Sequence, residues 1–123
     1  MQVAMTRVLL YVRDVGRLKS FYQTHFGFRV IEEIGDEWAV LLAGPVELAL
    51  HLVGKSFRSA PLASVPSNAK LVFTVDSGLA ELRTKLEKAD VPMGEIKRYQ
   101  GFAYSLCDGR DPEGNVFQLS EPD

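Results

Sequence analysis

From Thr6 the chain runs through Val8-Leu9-Leu10-Tyr11-Val12 to Asp14, after which Leu18, Phe21, Tyr22 and His25 recur at spacings of three and four. The run suits a strand and the spacing suits one face of a helix. Asp14 stands where an N-cap belongs and Gly27 where a helix closes in a left-handed turn, which predicts a helix over about residues 15–26. Three strand-like stretches follow, at 29–34, 37–42 and 46–52, with turns at Gly35-Asp36 and Ala43-Gly44-Pro45. From Ala69 the same grammar returns. Leu71-Val72-Phe73-Thr74-Val75 leads to the cap candidates Asp76 and Ser77, and then to Leu79, Leu82, Leu86 and Ala89 on one helical face. Three more strands are expected at 95–99, 102–108 and 115–120, with turns at Gln100-Gly101 and Asp111-Pro112-Glu113-Gly114.

Superposing Arg7 on Lys70 also pairs Val8 with Leu71, Leu10 with Phe73 and Val12 with Val75, all apolar. The chain therefore reads as two βαβββ units, about 5–53 and about 69–121, joined by a Ser-, Pro- and Ala-rich linker over 54–68. A βαβββ unit covers one sheet face with its helix and leaves the other bare, so two copies are expected to pair in one α+β domain, as a curved mixed sheet around a concave cavity. That cavity is the expected ligand site.

With 123 residues, 46% apolar and 24% charged, the composition is that of a globular chain able to bury a core. Apolar runs stop far short of the roughly 18 residues of a spanning helix and the N-terminus lacks a signal pattern, so a cytoplasmic protein is expected, with no membrane partner. A formal charge of −2, with basic residues scattered, argues against nucleic acid. The single cysteine, Cys107, reads as a packing residue. Gly-rich nucleotide loops, serine elbows and paired-cysteine zinc patterns are absent.

Three stretches carry a likeness. Val8 to Asp14 leading into Phe21-Tyr22-Gln23-Thr24-His25-Phe26-Gly27-Phe28, then Glu47-Leu48-Ala49-Leu50, and finally Asp111-Pro112-Glu113-Gly114-Asn115-Val116-Phe117-Gln118-Leu119, resemble the glyoxalase/bleomycin-resistance/dioxygenase family, also called the vicinal oxygen chelate superfamily. The resemblance implies four metal-ligand positions, on the first and fourth strands of each unit, which fall here on Arg7, Glu47, Lys70 and Gln118. Arginine has no lone pair to give and a lysine ammonium repels a divalent ion, so no cofactor is expected. A divalent metal is the alternative if the carry-over is misaligned. Glu47 and His51 share a strand face, but about 13 Å between their Cα atoms separates them too widely for easy chelation.

Arg7 and Lys70 are instead expected to share Glu47, with Gln118 filling the remaining hydrogen bonds and one surplus positive charge left for a carboxylate, phosphate or enolate. Alternation places Tyr11 and His51 on the same faces as Arg7 and Glu47, which makes His51 a candidate general base or acid as well as a plain wall histidine. Trp38 and Tyr104 are candidate aromatic walls; His25, on the apolar stripe of the first helix, reads as a packing residue. The expected function is metal-free binding of a small organic molecule. The alternative is an enzyme of the family: a lyase, isomerase or dioxygenase. Family members often pair, so a homodimer is a further expectation.

Overall fold

The computed structural model describes residues 1–59 and 69–123. Packing divides the chain into two compact units, Met1–Pro61 and Leu62–Asp123. Most of the expected linker, residues 60–68, lies outside the described residues; of its first part, Lys55–Phe57 make a single 3-10 turn.

In the first unit, strand β1 (Arg7–Val12) alternates, with Val12 fully buried at the end of the Val8, Leu10 series and Arg7, Leu9 and Tyr11 exposed on the other face. Helix α1 (Val15–Phe26) begins and ends where local chemistry places it. The Asp14 carboxylate accepts the Arg17 N–H at 3.0 Å, and Gly27, at φ 69°, sends its own N–H back to the helix carbonyls. Val15, Leu18, Phe21 and Tyr22 form its buried stripe. Strands β2 (Arg29–Ile34), β3 (Trp38–Ala43) and β4 (Val46–Leu52) complete a sheet of order β1-β4-β3-β2, with β1 parallel to β4 and the other pairs antiparallel. Leu18, Leu41 and Leu50 are fully buried. Each is worth roughly 1.5–3 kcal/mol of hydrophobic stabilisation.

In the second unit, strand β5 (Lys70–Thr74), helix α2 (Leu79–Lys88), strand β6 (Tyr104–Arg110) and strand β7 (Val116–Pro122) give a three-stranded sheet of order β5-β7-β6. Leu86, Cys107, Phe117 and Leu119 are fully buried at its core. The architecture is α+β, two mixed sheets each with one helix.

The second unit departs from the sequence pattern in two places. The stretch 95–99 is not a strand. Only two isolated bridges, Met93 with Gly109 and Lys97 with Leu106, tie this segment to β6. Their registers differ by one residue, so a bulge interrupts the ladder before it can propagate. Helix α2 is capped by neither Asp76 nor Ser77: Gly78 occupies the cap position, and the Glu121 carboxylate on β7 accepts the Leu79 N–H at 3.1 Å.

Candidate functional site

On the face of the first sheet opposite Val12, Leu48 and Leu50, residues from three strands meet. Arg7 and Glu47 are register partners on parallel β1 and β4, and the guanidinium holds Glu47 Oε1 through Nε at 2.9 Å and Nη2 at 2.8 Å. The same guanidinium lies 5.6 Å from the centre of the Trp38 ring, a cation–π distance. Trp38 is opposite His51 in the β3–β4 ladder and meets it edge-on at 5.6 Å, while Tyr11 approaches His51 from β1 at 5.2 Å. The structure thus brings Arg7, Tyr11, Trp38, Glu47 and His51 together and settles the facing of Trp38. Glu32 joins them unforeseen, accepting the Trp38 indole N–H at 2.5 Å. Its place depends on a shift in β2–β3 register between Val30 and Glu32, which no local pattern announces.

His51 Nδ1 lies 2.8 Å from the Leu52 carbonyl oxygen. A carbonyl only accepts, so Nδ1 carries a proton and donates it; in the neutral ring Nε2 is left as a lone pair. His25 packs against Phe21 at 4.8 Å on α1, as a boundary residue would.

The second sheet carries a different cluster. Lys70 Nζ lies 2.9 Å from Asp108 Oδ2, and Gln118 Nε2 donates to Asp108 Oδ1 at 3.0 Å. Partial burial pushes the Asp108 carboxyl pKa up, but the hydrogen bonds from Lys70 and Gln118 and the charges of Lys70 and Lys97 outweigh it and hold the group below its ordinary value. This corrects the expected arrangement at Lys70 and Gln118: the ammonium and the amide N–H both find Asp108 within their own unit. Asp108 was readable in principle. A hairpin closing over Asp111 to Gly114 with Arg110 opposite Val116 puts Asp108 opposite Gln118.

These three residues line a pocket of about 340 Å³ with Tyr99, Phe102 and Tyr104. Phe102 and Tyr104 stack at 5.2 Å with 13° between their planes, and Tyr99 meets Phe102 edge-on at 6.0 Å. Tyr99 ends the segment whose bridging to β6 replaces the expected strand at 95–99, and Phe102, expected as the first residue of the next strand, lies just before β6, which begins at Tyr104.

Against known families, residues 4–119 match the model of the Glyoxalase/Bleomycin resistance protein/Dioxygenase superfamily. The chain belongs to this superfamily. Among solved structures, lactoylglutathione lyase from Agrobacterium tumefaciens is similar at 21% identity and a TM-score of 0.77, covering 98% of this chain and 94% of that one. The genomically encoded fosfomycin resistance protein of Listeria monocytogenes is similar at 15% identity and a TM-score of 0.80, covering 100% and 96%. A possible glyoxalase from Bacillus cereus gives 18% and 0.72, covering 96% and 98%. These likenesses establish the glyoxalase-like fold, a scaffold that hosts unrelated activities.

Within this superfamily chain the two halves are not chemically equivalent. Arg7 opposes Glu47 in the first sheet, whereas its repeat mate Lys70 opposes Val116 in the second, and Gln118 lies two residues further along, opposite Val72. The first-unit counterpart of Gln118 is therefore Ala49, which opposes Leu9 and is fully buried. Among the described residues no three His, Cys, Asp or Glu side chains cluster closely enough to hold a metal ion. No helix among them is long and apolar enough to cross a membrane.

Proposed function

We propose that this glyoxalase-superfamily protein binds a small organic molecule without a metal ion. The observation that carries the proposal is the Lys70–Asp108–Gln118 triad at the edge of the aromatic pocket. The four positions that the family likeness assigns to metal ligands hold Arg7, Glu47, Lys70 and Gln118, and this donor set does not fit a divalent cation. Arg7 offers no lone pair and takes the Glu47 carboxylate for itself. Lys70 is engaged with the carboxylate of Asp108, itself held in its ionised form, so a cationic side chain stands where a ligand atom would be needed. What remains is a pocket of ligand-binding size with aromatic walls and a polar floor, the usual composition of a small-molecule site. Metal analysis of protein purified without chelator tests this directly. We expect substoichiometric divalent metal and no rise in melting temperature on adding manganese, nickel or zinc; one tightly held equivalent per chain would overturn the proposal.

His51 favours a second reading, an enzyme using proton transfer. With Nδ1 donating to Leu52, its Nε2 is oriented as a base on a face that also carries Tyr11, Glu47 and Arg7. Turnover of an identified substrate that survives His51→Ala undiminished would remove this residue from any mechanism.

A further inference from the structure

Resting on that metal-free reading, we infer that the pocket of the second unit is built for a flat, uncharged aromatic molecule whose edge carries both a hydrogen-bond donor and an acceptor, as a carboxamide or ring lactam does. Three independent features point there.

The first is the state of the rings. Phe102 is 47% exposed and Tyr99 50% exposed, although each is large enough to reward full burial. They are nevertheless ordered against one another, Phe102 stacked on Tyr104 and Tyr99 edge-on to Phe102. An ordered aromatic surface left open to a pocket gains most from a second π-face laid against it.

Charge supplies the second feature. The ionisable groups with formal charge around the pocket are Lys70 and Lys97 against Glu95 and Asp108, two of each sign. The surplus positive charge that would draw a carboxylate or phosphate does not exist here, because Asp108 neutralises Lys70 in direct contact. Because these four charges cancel, a net-charged ligand would lose hydration without a net opposite charge from the pocket in return.

The third is the pattern of polar groups. Gln118 spends an amide N–H on Asp108, which leaves its Oε1 as an acceptor beside the Asp108 carboxylate and the Lys70 ammonium. A ligand edge with a donor and an acceptor side by side satisfies that array; a purely accepting or purely donating edge leaves part of it unpaired. A volume of about 340 Å³ is at the small end of ligand pockets and suits a bicyclic ring.

Three probes separate planarity from charge: naphthamide, which is flat and neutral; naphthoate, flat and anionic; and decahydronaphthamide, neutral but saturated. Each is titrated into the full-length protein while backbone and side-chain amide resonances are followed by NMR. Naphthamide is expected to move the signals of Phe102, Tyr104, Asp108 and the Gln118 side chain, to bind about tenfold more tightly than the saturated amide and no more weakly than naphthoate. Phe102→Leu keeps an apolar side chain without the ring face, and Phe102 lies at the surface, so this variant is expected to keep the wild-type melting temperature and lose about fivefold in naphthamide affinity. Equal binding of the saturated amide, or an unchanged Phe102→Leu affinity, overturns the planar-ligand inference while leaving a small-molecule site in place. Naphthoate binding ten times tighter than naphthamide overturns the neutral-ligand inference in the same way. If none of the three moves any of these resonances at millimolar concentration, the inference and the binding proposal beneath it both fall.

Discussion

Asp108 takes the Lys70 ammonium on one oxygen and the Gln118 amide on the other. Its folded pKa lies below the ordinary carboxylate value, so the folded chain binds this proton less readily than the unfolded chain does. The contribution to stability is therefore fully present above the unfolded value near pH 4 and is lost as pH falls through the lower, folded one. Melting temperatures of the wild type and Asp108→Asn should differ by a constant amount from about pH 7 to about pH 5, and the gap should close as the pH drops below about 4. A gap that widens on acidification would refute this assignment. At this scale the sequence announces Arg7, Glu47, Lys70 and Gln118 through motif position, and Tyr11 and His51 through strand alternation. It gives Asp108 only through the register of the closing hairpin and hides Glu32 behind a register shift, because each acquires its role from strand pairing. A register is a property of two strands, and a motif belongs to one.

Elements differ in how far away their determinants lie. The bounds of α1 follow from Asp14 and Gly27, residues adjacent to it, and so can be read directly. The start of α2 depends on Glu121, more than forty positions away on β7, and the local candidates Asp76 and Ser77 are misleading for that reason. Replacing Glu121 with Ala removes the acceptor and should cost about 1 kcal/mol in urea unfolding, with faster amide exchange confined to the first turn of α2. Strand β6 has its own hidden requirement. A methyl group at Gly109 would lie 2.5 Å from Phe117 Cζ and 2.6 Å from Met93 Sδ, so the fully buried Phe117 ring packs directly over bare backbone. Gly109→Ala should destabilise by about 1–3 kcal/mol through this overpacking, measured in the same unfolding experiment. A neutral outcome would mean that Met93 and Phe117 move aside together. The segment before β6 failed as a strand for a related reason: its apolar and polar pattern permits pairing, but a one-residue slip between the two bridges does not let a ladder run.

At the scale of the whole molecule, the repetition of a strand, a helix and further strands is the most legible feature, since it rests on dozens of apolar positions and tolerates errors at any one, such as the missing strand at 95–99. Burial of those positions also governs stability. The ion pairs Arg7–Glu47, Lys19–Glu33, Lys70–Asp108, Arg83–Glu87 and Arg98–Asp123 all join side chains at least 24% exposed. Raising salt from about 0.02 M to about 0.5 M should accordingly change the unfolding free energy by less than about 1 kcal/mol, as followed by urea titration. A larger fall would show that charge pairing, not apolar packing, holds the chain together. The pairs at Arg7 and Lys70 also show how far the two halves differ. Glu47 reaches Arg7 from β4, the neighbouring strand, whereas Asp108 reaches Lys70 across β7 from β6. In the other half of the repeat the places of these two acids are taken by valines, Val116 for Glu47 and Val40 for Asp108. The two counter-ions are therefore not equivalent under the repeat: a change that removes one carboxylate frees one cation and leaves the pair in the other sheet intact.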